Sequence, residues 1–583
     1  MRKIIAIIAG LIVALPVCLV AEESKRFYQV DERFGFVKNI SEASPYGDMP
    51  TNNELKYSIA NSWEGLEGGA MQSMLYFYRT MKTPLVFAEA FDAYVMKVGD
   101  LQFYANDNSS MPYVQLFANG RIPFNKNMPY SAHGRAEIAS QVSRNVSVGG
   151  VVNYVGASGV NGLGFHQMVN GAVWTNLELK RYGARLTATI NDWNVAPQYN
   201  ARQQAHTAYK HQTLHFAHYW RFTDAIRLMH TFKWEGATRN YLDEQKDIND
   251  SIAFQTVRNT LTLEALRADN ALPFSLRYYF EHDYRYHANY MRSELTRPLM
   301  NDHHLHTGFV LFDARPVGEG TLKYDVAGDV YVYGILTSES NLNVNVAYDF
   351  NIHDEPLSIG LGVGGHRDSN TKFITRYDAC NISWNNDFVR FHRVDGVFTL
   401  ALPKRGISLD IKNDNVLKYI YFAEDGKPVQ DQGWLHVVSV DLKADLKLHR
   451  DVYWENHAIY QYTSNRDILP LPDFTIYSKL YYQHTFANGN PFTLRTGLDL
   501  RYYTAFYANE YDPYTGIFHL QKDQKIGNYP ELGLFADFMF SGVTLELGWK
   551  NWNNGLFGGD YYYSPGYMDN RSRLYVACRW VLL

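Results

Sequence analysis

The sequence predicts an all-β fold, a transmembrane antiparallel up-and-down β-barrel of roughly 16–22 strands with short periplasmic turns and long extracellular loops. Three observations predict it. Runs alternating between apolar and polar residues recur along the chain, many of them long enough to cross hydrocarbon. Aromatic residues make up 15%, as 44 Tyr, 33 Phe and 11 Trp. The amino terminus reads as a secretory signal.

The alternation is clearest in the second half. Phe492, Leu494, Leu498, Leu500 and Tyr502 share one face of a strand, and Thr493, Arg495, Gly497, Asp499 and Arg501 share the other. Val438, Val440, Leu442, Ala444, Leu446 and Leu448 alternate with Ser439, Asp441, Lys443, Asp445 and Lys447. Leu342, Val344, Val346, Tyr348 and Phe350 alternate with Asn341, Asn343, Asn345 and Asp349, and Leu322, Tyr324, Val326, Val330 and Val332 with Lys323, Asp325, Asp329 and Tyr331. The last stripes are Leu532 to Phe540, Val543 to Trp549 and Leu574 to Leu582. A tilted transmembrane strand needs about 9–11 residues, whereas a soluble strand averages about 5–6. Rings near strand ends (Phe492 and Tyr502, Phe474 and Phe486, Trp549 and Trp552) suit the two bilayer interfaces. Ser541-Gly542 is a tight hairpin, while Ala505 to Pro530 and Asn553 to Asn570 are long loops.

Residues 1–21 carry Arg2 and Lys3 ahead of an apolar run from Ile4 to Val13, with Ala21 before the cleavage point. That is a signal peptide, and it implies export. Beyond it no apolar run approaches about 18 residues, which excludes a helical membrane protein and leaves a barrel open. Residues 22–110 are less regular and are read as an amino-terminal extension with the first barrel strands. Residues 111–583 are read as the barrel.

At 583 residues the chain exceeds an ordinary domain, yet a closed barrel runs long as one unit. With 46% apolar and 20% charged residues it is not disordered. Lys and Arg number 55 against 60 Asp and Glu, a net charge of −5, so no basic excess points to nucleic acid. Three cysteines make no disulfide framework, and cleavage of the signal leaves Cys380 and Cys578.

Motifs with chemical content are few. Gly360 to Gly365 imitates a dinucleotide fingerprint, but no helix pattern follows. The glycines at 360, 362 and 364 fall on the polar face of a strand, where they make room or permit curvature. In the Asp302-His303-His304-Leu305-His306 run, His304 and His306 share a face and His303 does not. His211 and His215 likewise share a face. Zinc needs three or four convergent ligands, and neither set supplies them. No cofactor, metal site or catalytic constellation is expected, so the chain is read as a non-enzyme.

The polar faces supply the pore-lining candidates Lys323, Asp325, Asp329, Asp441, Lys443, Asp445, Lys447, Arg495, Asp499, Arg501, Glu546 and Lys550. Both signs are balanced among them, which predicts weak overall ion selectivity. Arg495, Asp499 and Arg501 project to one side of a strand and are expected to face water.

Several stretches resemble the putative porin family of Bacteroidetes outer-membrane β-barrel proteins. They are DILPLPDFTIYSKLYYQHTF, LRTGLDLRYYTAFYANEYDPYTGIFHLQ and GNYPELGLFADFMF, with FYANDNSSMPYVQLFANG and VNYVGASGVNGLGFHQ nearer the start. The resemblance covers essentially the whole mature chain and rests on the order of these elements. It implies a porin in the outer membrane of a Gram-negative cell, which passes small hydrophilic solutes passively. Its partners would be outer-membrane lipid, those solutes and the barrel-insertion machinery. The carboxy terminus departs slightly, because Val581, Leu582 and Leu583 follow Trp580 where an aromatic residue often closes such a chain. The rivals are a transporter whose lumen is plugged, for which residues 22–110 look short, an outer-membrane enzyme, and a surface-binding β-protein.

Overall fold

The computed structural model describes residues 26–35, 37–42, 58–63, 69–79, 94–104, 112–122, 130–158, 165–196, 205–267, 274–291, 294–369, 371–486, 491–556, 562–568 and 572–582. The signal-peptide reading for residues 1–21 lies outside them.

Twenty-two strands close into one ring. They are β1 (Tyr113–Ile122), β2 (Tyr130–Ser143), β3 (Val146–Ser158), β4 (Phe165–Glu178), β5 (Tyr182–Ala196), β6 (Ala205–Arg221), β7 (Ile226–Asp243), β8 (Ile248–Ala265), β9 (Ser275–Met291), β10 (Glu294–Val317) and β11 (Gly320–Tyr333). The second half comprises β12 (Ser340–Ile352), β13 (Glu355–Asp368), β14 (Phe391–Leu402), β15 (Ile407–Leu417), β16 (Trp434–His449), β17 (Val452–Thr463), β18 (Phe474–Phe486), β19 (Phe492–Tyr503), β20 (Glu531–Phe540), β21 (Val543–Lys550) and β22 (Arg573–Leu582). Neighbours pair antiparallel in chain order, and β22 pairs with β1, so the ring has no free edge. Closure pairs each strand with a neighbour on both sides, the condition for a sheet in hydrocarbon.

Alternation fixes which side chains face out. Leu342, Leu361, Val363, Leu442, Leu498, Leu547 and Trp549 lie between 41% and 60% exposed, a large apolar surface with no protein against it. Such a band is unfavourable in water and is the natural surface of a barrel in lipid. Among the described residues no helix is long and apolar enough to cross a membrane.

The two ends differ. At one end lie short turns, as between β2 and β3 (144–145), β12 and β13 (353–354), β16 and β17 (450–451) and β20 and β21 (541–542). At the other lie 418–433, 504–530 and the described residues of 369–390 and 551–572. Strands β6 to β10, at 17, 18, 18, 17 and 24 residues, raise one side of the wall. The 504–530 loop leans onto that side from nearly opposite in the ring. The Pro513 carbonyl accepts from Arg239 of β7 at 3.0 Å, and the Tyr514 hydroxyl donates to Asp250 of β8 at 2.5 Å.

The stretch before β1 was expected to hold the first barrel strands. Its described strands do not join the ring, which starts at Tyr113. Arg26–Val30 pairs with Val37–Glu42 on one side and Phe103–Tyr104 on the other, and Asn61–Trp63 pairs with Met71–Ser73. Phe27, Val30, Leu101, Phe103 and Tyr104 bury themselves against Ala139, Val151 and Trp174 of the wall. Ala60, Met71, Met74 and Tyr94 pack with Trp193 and Tyr209 of the wall and with Phe506, Phe518 and Tyr529 of the 504–530 loop. The segment touches inner faces on opposite sides of the ring, so it occupies the lumen.

Candidate functional site

The candidate site is the contact between this segment and the inner wall. It begins at the turn 31–35. Asp31 Oδ1 accepts from the backbone amides of Arg33 and Phe34 at 2.9 and 3.0 Å. Gly35 closes the turn at φ +70°, where a Cβ would also lie 2.9 Å from that of Ala217, so only glycine suits the position. The turn presents two opposite charges to two opposite wall charges. Glu32 meets Lys233 of β7 at 2.9 Å, and Lys233 also reaches Glu235 at 3.1 Å. Burial alone would push the Glu32 carboxyl up; Lys233 outweighs it and holds the group below the usual carboxylate range. Arg33 grips Glu281 of β9 through two N–H···O bonds of 2.8 and 2.9 Å. His215 bonds the Glu32 carbonyl at 2.8 Å, and Thr231 donates to the Arg33 carbonyl at 2.6 Å.

A second contact lies across the lumen. The Tyr76 hydroxyl donates to Asp414 of β15 and that of Tyr78 to Asp441 of β16, both at 2.6 Å, and the Tyr76 amide donates to Gln461 of β17 at 2.9 Å. Burial, reinforced by the neighbouring carboxylates, pushes both phenols up, so both remain donors.

Between the two contacts a chain of polar side chains runs along the wall at one level. Arg33 Nη2 donates to His306 Nδ1 at 2.5 Å, and His306 Nε2 meets Asp329 at 2.9 Å. Asn341 Nδ2 donates to Asp329 at 3.0 Å, and its oxygen faces His366 Nδ1 at 2.8 Å. His366 Nε2 meets Asp395 at 2.7 Å, Arg393 lies 3.5 Å from Asp395 and 3.9 Å from Asp414, and Asp414 holds Tyr76. The ladder supplies the level, pairing Asp329 with Asn341, Asn341 with His366 and His366 with Arg393. The glycines supply the space. A Cβ on Gly364 would lie 2.7 Å from both Asp395 Oδ1 and His366 Nε2, and one on Gly362 would lie 2.5 Å from Asn345 Oδ1.

Every residue expected on the inner face has the inward register. Lys323 pairs with Asp349 at 2.6 Å, Asp325 accepts from Asn345, and Asp329 belongs to the polar chain. Asp441 binds Tyr78, His457 and Lys412. Lys443, Asp445 and Lys447 are exposed toward the short-turn end. Arg495 corrects the expectation that it faces water. It is 7% exposed and bonded to Asp537 at 2.6 Å. Arg501 lies 3.8 Å from Glu531, Asp499 is half-buried near it, and Lys550 lies over the Tyr575 ring while Glu546 accepts from the Tyr575 hydroxyl. Inward register and water exposure are therefore separate properties here.

The histidine motifs also resolve. His304 and His306 are buried on the inner face and His303 points outward, stacked on His282. Among the described residues no three His, Cys, Asp or Glu side chains converge as metal ligands. Cys380 bonds Asp250 where two long loops meet. Sequence reasoning missed the 31–35 turn and Tyr76; the Asp31-to-Gly35 spacing was the one local signal.

A closed 22-strand antiparallel barrel with an apolar outer band defines an outer-membrane β-barrel of the transport class. The chain belongs to the family described as Putative porin, which it matches over residues 194–580. No curated protein matches it. Its fold is similar to a solved mutant of the ferric enterobactin receptor from Pseudomonas aeruginosa, with TM-score 0.62, 11% identity, and coverage of 83% of this chain and 82% of that one. A siderophore receptor from Acinetobacter baumannii gives TM-score 0.62 at 9% identity, covering 83% and 82%. The ferric-catecholate import receptor of Escherichia coli, in its closed form, gives TM-score 0.56 at 11% identity, covering 81% and 82%. At these identities the likeness is one of fold.

Proposed function

We propose that the protein is a gated outer-membrane channel for small hydrophilic solutes, exported through a cleaved signal peptide, whose described residues before the ring, among them 26–35, 69–79 and 94–104, form the gate. One observation carries this reading: the segment is fixed to the wall at Glu32 and Arg33 on one side of the lumen and at Tyr76 and Tyr78 on the other. A 22-strand ring is wide enough for an aqueous path unless filled, and here it is bridged. These four anchors are ionic and polar, and they sit beside the apolar clusters around Phe27 and Met71, so opening must part both kinds of contact while the closed ring persists. The role is transport, with no covalent chemistry.

Passive diffusion is the second reading. The inner-face groups Lys323, Lys443, Asp445 and Lys447 favour it, since they are exposed along β11 and β16. Single-channel recording on the full mature chain decides between the two. A gated channel stays closed most of the time, and the double variant Arg33→Ala/Lys233→Ala opens it. Steady conductance in the unaltered protein that the double variant does not change ends the gated reading.

A further inference from the structure

We infer that the short-turn rim of β2 to β6 is a binding site for an anionic phospholipid, in which Arg144, Lys180 and Arg181 hold the headgroup phosphate and Val142, Leu179 and Phe222 meet the acyl chains. The inference rests on the outer band lying in lipid and is independent of how the lumen is closed.

The apolar face runs to the very end of the wall here. On β2, β4 and β6 the outward positions continue to Val142, Leu179 and Phe222, the last two within the turns themselves, and these are 66%, 42% and 54% exposed. Trp220, one outward position before Phe222, is 50% exposed, and its ring lies 6.1 Å from that of Tyr182. The strands therefore carry no polar margin at this end, and the turns supply it. Arg144 follows Val142 by two residues, Lys180 and Arg181 follow Leu179 directly, and all three are exposed. A Lys or Arg at such an edge lays its stem along apolar surface and carries its charge to the level of the headgroups.

The three turns form one surface. The Glu178 amide donates to the Asn145 carbonyl and the Arg221 amide to the Arg181 carbonyl, both at 2.8 Å, so 144–145, 179–181 and 222–225 lie side by side. Their charges are not cancelled within the protein. Arg144, Lys180 and Arg181 form no ion pair among the described residues. Glu178 faces inward, where the Tyr219 hydroxyl donates to it, and Arg221 lies over the Tyr219 ring. Asp224 is the one exposed carboxylate of the three turns. Other turns at this end are built differently. Glu319 and Asp354 make two of them acidic, Arg450 is followed by Asp451, and Lys404 and Arg405 lie 3.8 and 3.7 Å from Glu355. Among the described residues, three unpaired cations on adjacent turns mark this arc of the ring alone.

The chemistry selects the ligand. Exposed apolar side chains next to unpaired cations suit an amphiphile, and a guanidinium matches a phosphate through two parallel N–H groups. A zwitterionic headgroup brings its own cation beside the phosphate and cancels most of the attraction. A headgroup of net negative charge keeps it, at about fivefold in affinity per Lys or Arg at low salt.

Trp220 reports on the site, because it lies within the patch. The full mature chain is reconstituted in phosphatidylcholine vesicles containing a minor fraction of brominated phosphatidylglycerol or, in parallel, of brominated phosphatidylcholine. Quenching of Trp220 is read as the difference from Trp220→Phe. The anionic lipid should quench at least about fivefold more strongly at equal fraction. About 1 M salt shortens the screening length to about 3 Å and should remove the excess. Arg144→Ser/Lys180→Ser/Arg181→Ser should remove it as well, while Lys404→Ser/Arg405→Ser should leave it intact. The salt comparison decides alone if the triple variant fails to assemble. Equal quenching by the two lipids overturns the inference and leaves the membrane-spanning ring standing, whereas no quenching by either overturns both. An excess that survives salt or the triple variant also overturns it, by placing the preference elsewhere on the wall.

Discussion

Arg33 and Glu281 are 248 residues apart and are joined by two parallel hydrogen bonds, with the Glu281 side chain fully buried. Glu281 also accepts from Thr260 at 2.8 Å and has Arg258 at 3.5 Å. The pair ties the lumenal segment to β9 at a point where Glu281 has no water to fall back on, while the Arg33 side chain keeps 28% exposure. Breaking such a pair by removing one charge costs about 3–5 kcal/mol, because the other charge stays buried. Glu281→Gln is therefore expected to release the 26–35 stretch while the ring persists. Limited proteolysis should cut the variant near residue 33 under conditions where the parent resists, with unchanged heat-modifiability. Equal resistance in both would show that the pair does not hold the segment.

The outer face gives a second prediction. Leu446 points outward in β16, and Lys447 points inward, exposed, with its ammonium 5.3 Å from the Tyr453 ring. Leu446→Arg places a charge in the apolar band four residues from the 450–451 turn and should cost about 1–2 kcal/mol, less than at the midplane. Lys447→Ala removes a wet cation–π contact worth about 0.5–1 kcal/mol and should be nearly neutral. Denaturant titration of barrel refolding measures both, and equal tolerance would reverse the assigned facing.

A third prediction concerns pH at the long-loop end. Glu339, in the connection before β12, accepts from the Ser369 amide at 3.2 Å. Burial pushes its carboxyl up to about 7, against the opposing pull of Arg285. The folded value lies above the unfolded value of 4.5, so the group favours folding most below pH 4.5 and loses that contribution as pH rises through 7. Glu339→Gln should leave stability unchanged near pH 4 and raise it above pH 7, by at most about 3 kcal/mol. Melting of the 334–339 connection followed by hydrogen exchange at the two pH values checks the sign. A gain at low pH instead would contradict it.

The ring was legible because each strand has two different solvents. Leu442 and Leu446 face lipid while Asp441 and Lys443 face inward, and period 2 records that contrast directly. The segment before β1 was not legible, for two physical reasons. Its strands are short, as with Asn61–Trp63, and carry no sustained period. Its wall-facing groups are Glu32 and Arg33, which look like any solvated turn until Lys233 and Glu281 are seen beside them. Alternation reports direction and says nothing about what fills the space a side chain points into.

Arg495 shows the consequence and gives the last prediction. From the alternation it should tune ion preference without touching assembly. In the structure Arg495 Nε donates to Asp537 Oδ2 at 2.6 Å, the pair has 8% and 1% side-chain exposure, and the guanidinium lies 5.7 Å from the Tyr481 ring. Lys479 covers Phe535 from the same side at 4.4 Å, so the site is a packed layer of cations, rings and carboxylates. Arg495→Glu would put a third carboxylate beside Asp537 and Glu546, which face each other across β20 and β21. The cost should be about 3–5 kcal/mol, that of stranding a buried charge, and assembly should fall before selectivity can be read. Arg495→Asp combined with Asp537→Arg restores opposite charges and should recover part of the loss. Refolding yield and heat-modifiability of the single and double variants test this together. A single variant that assembles normally and only shifts reversal potential would return Arg495 to an open pore wall.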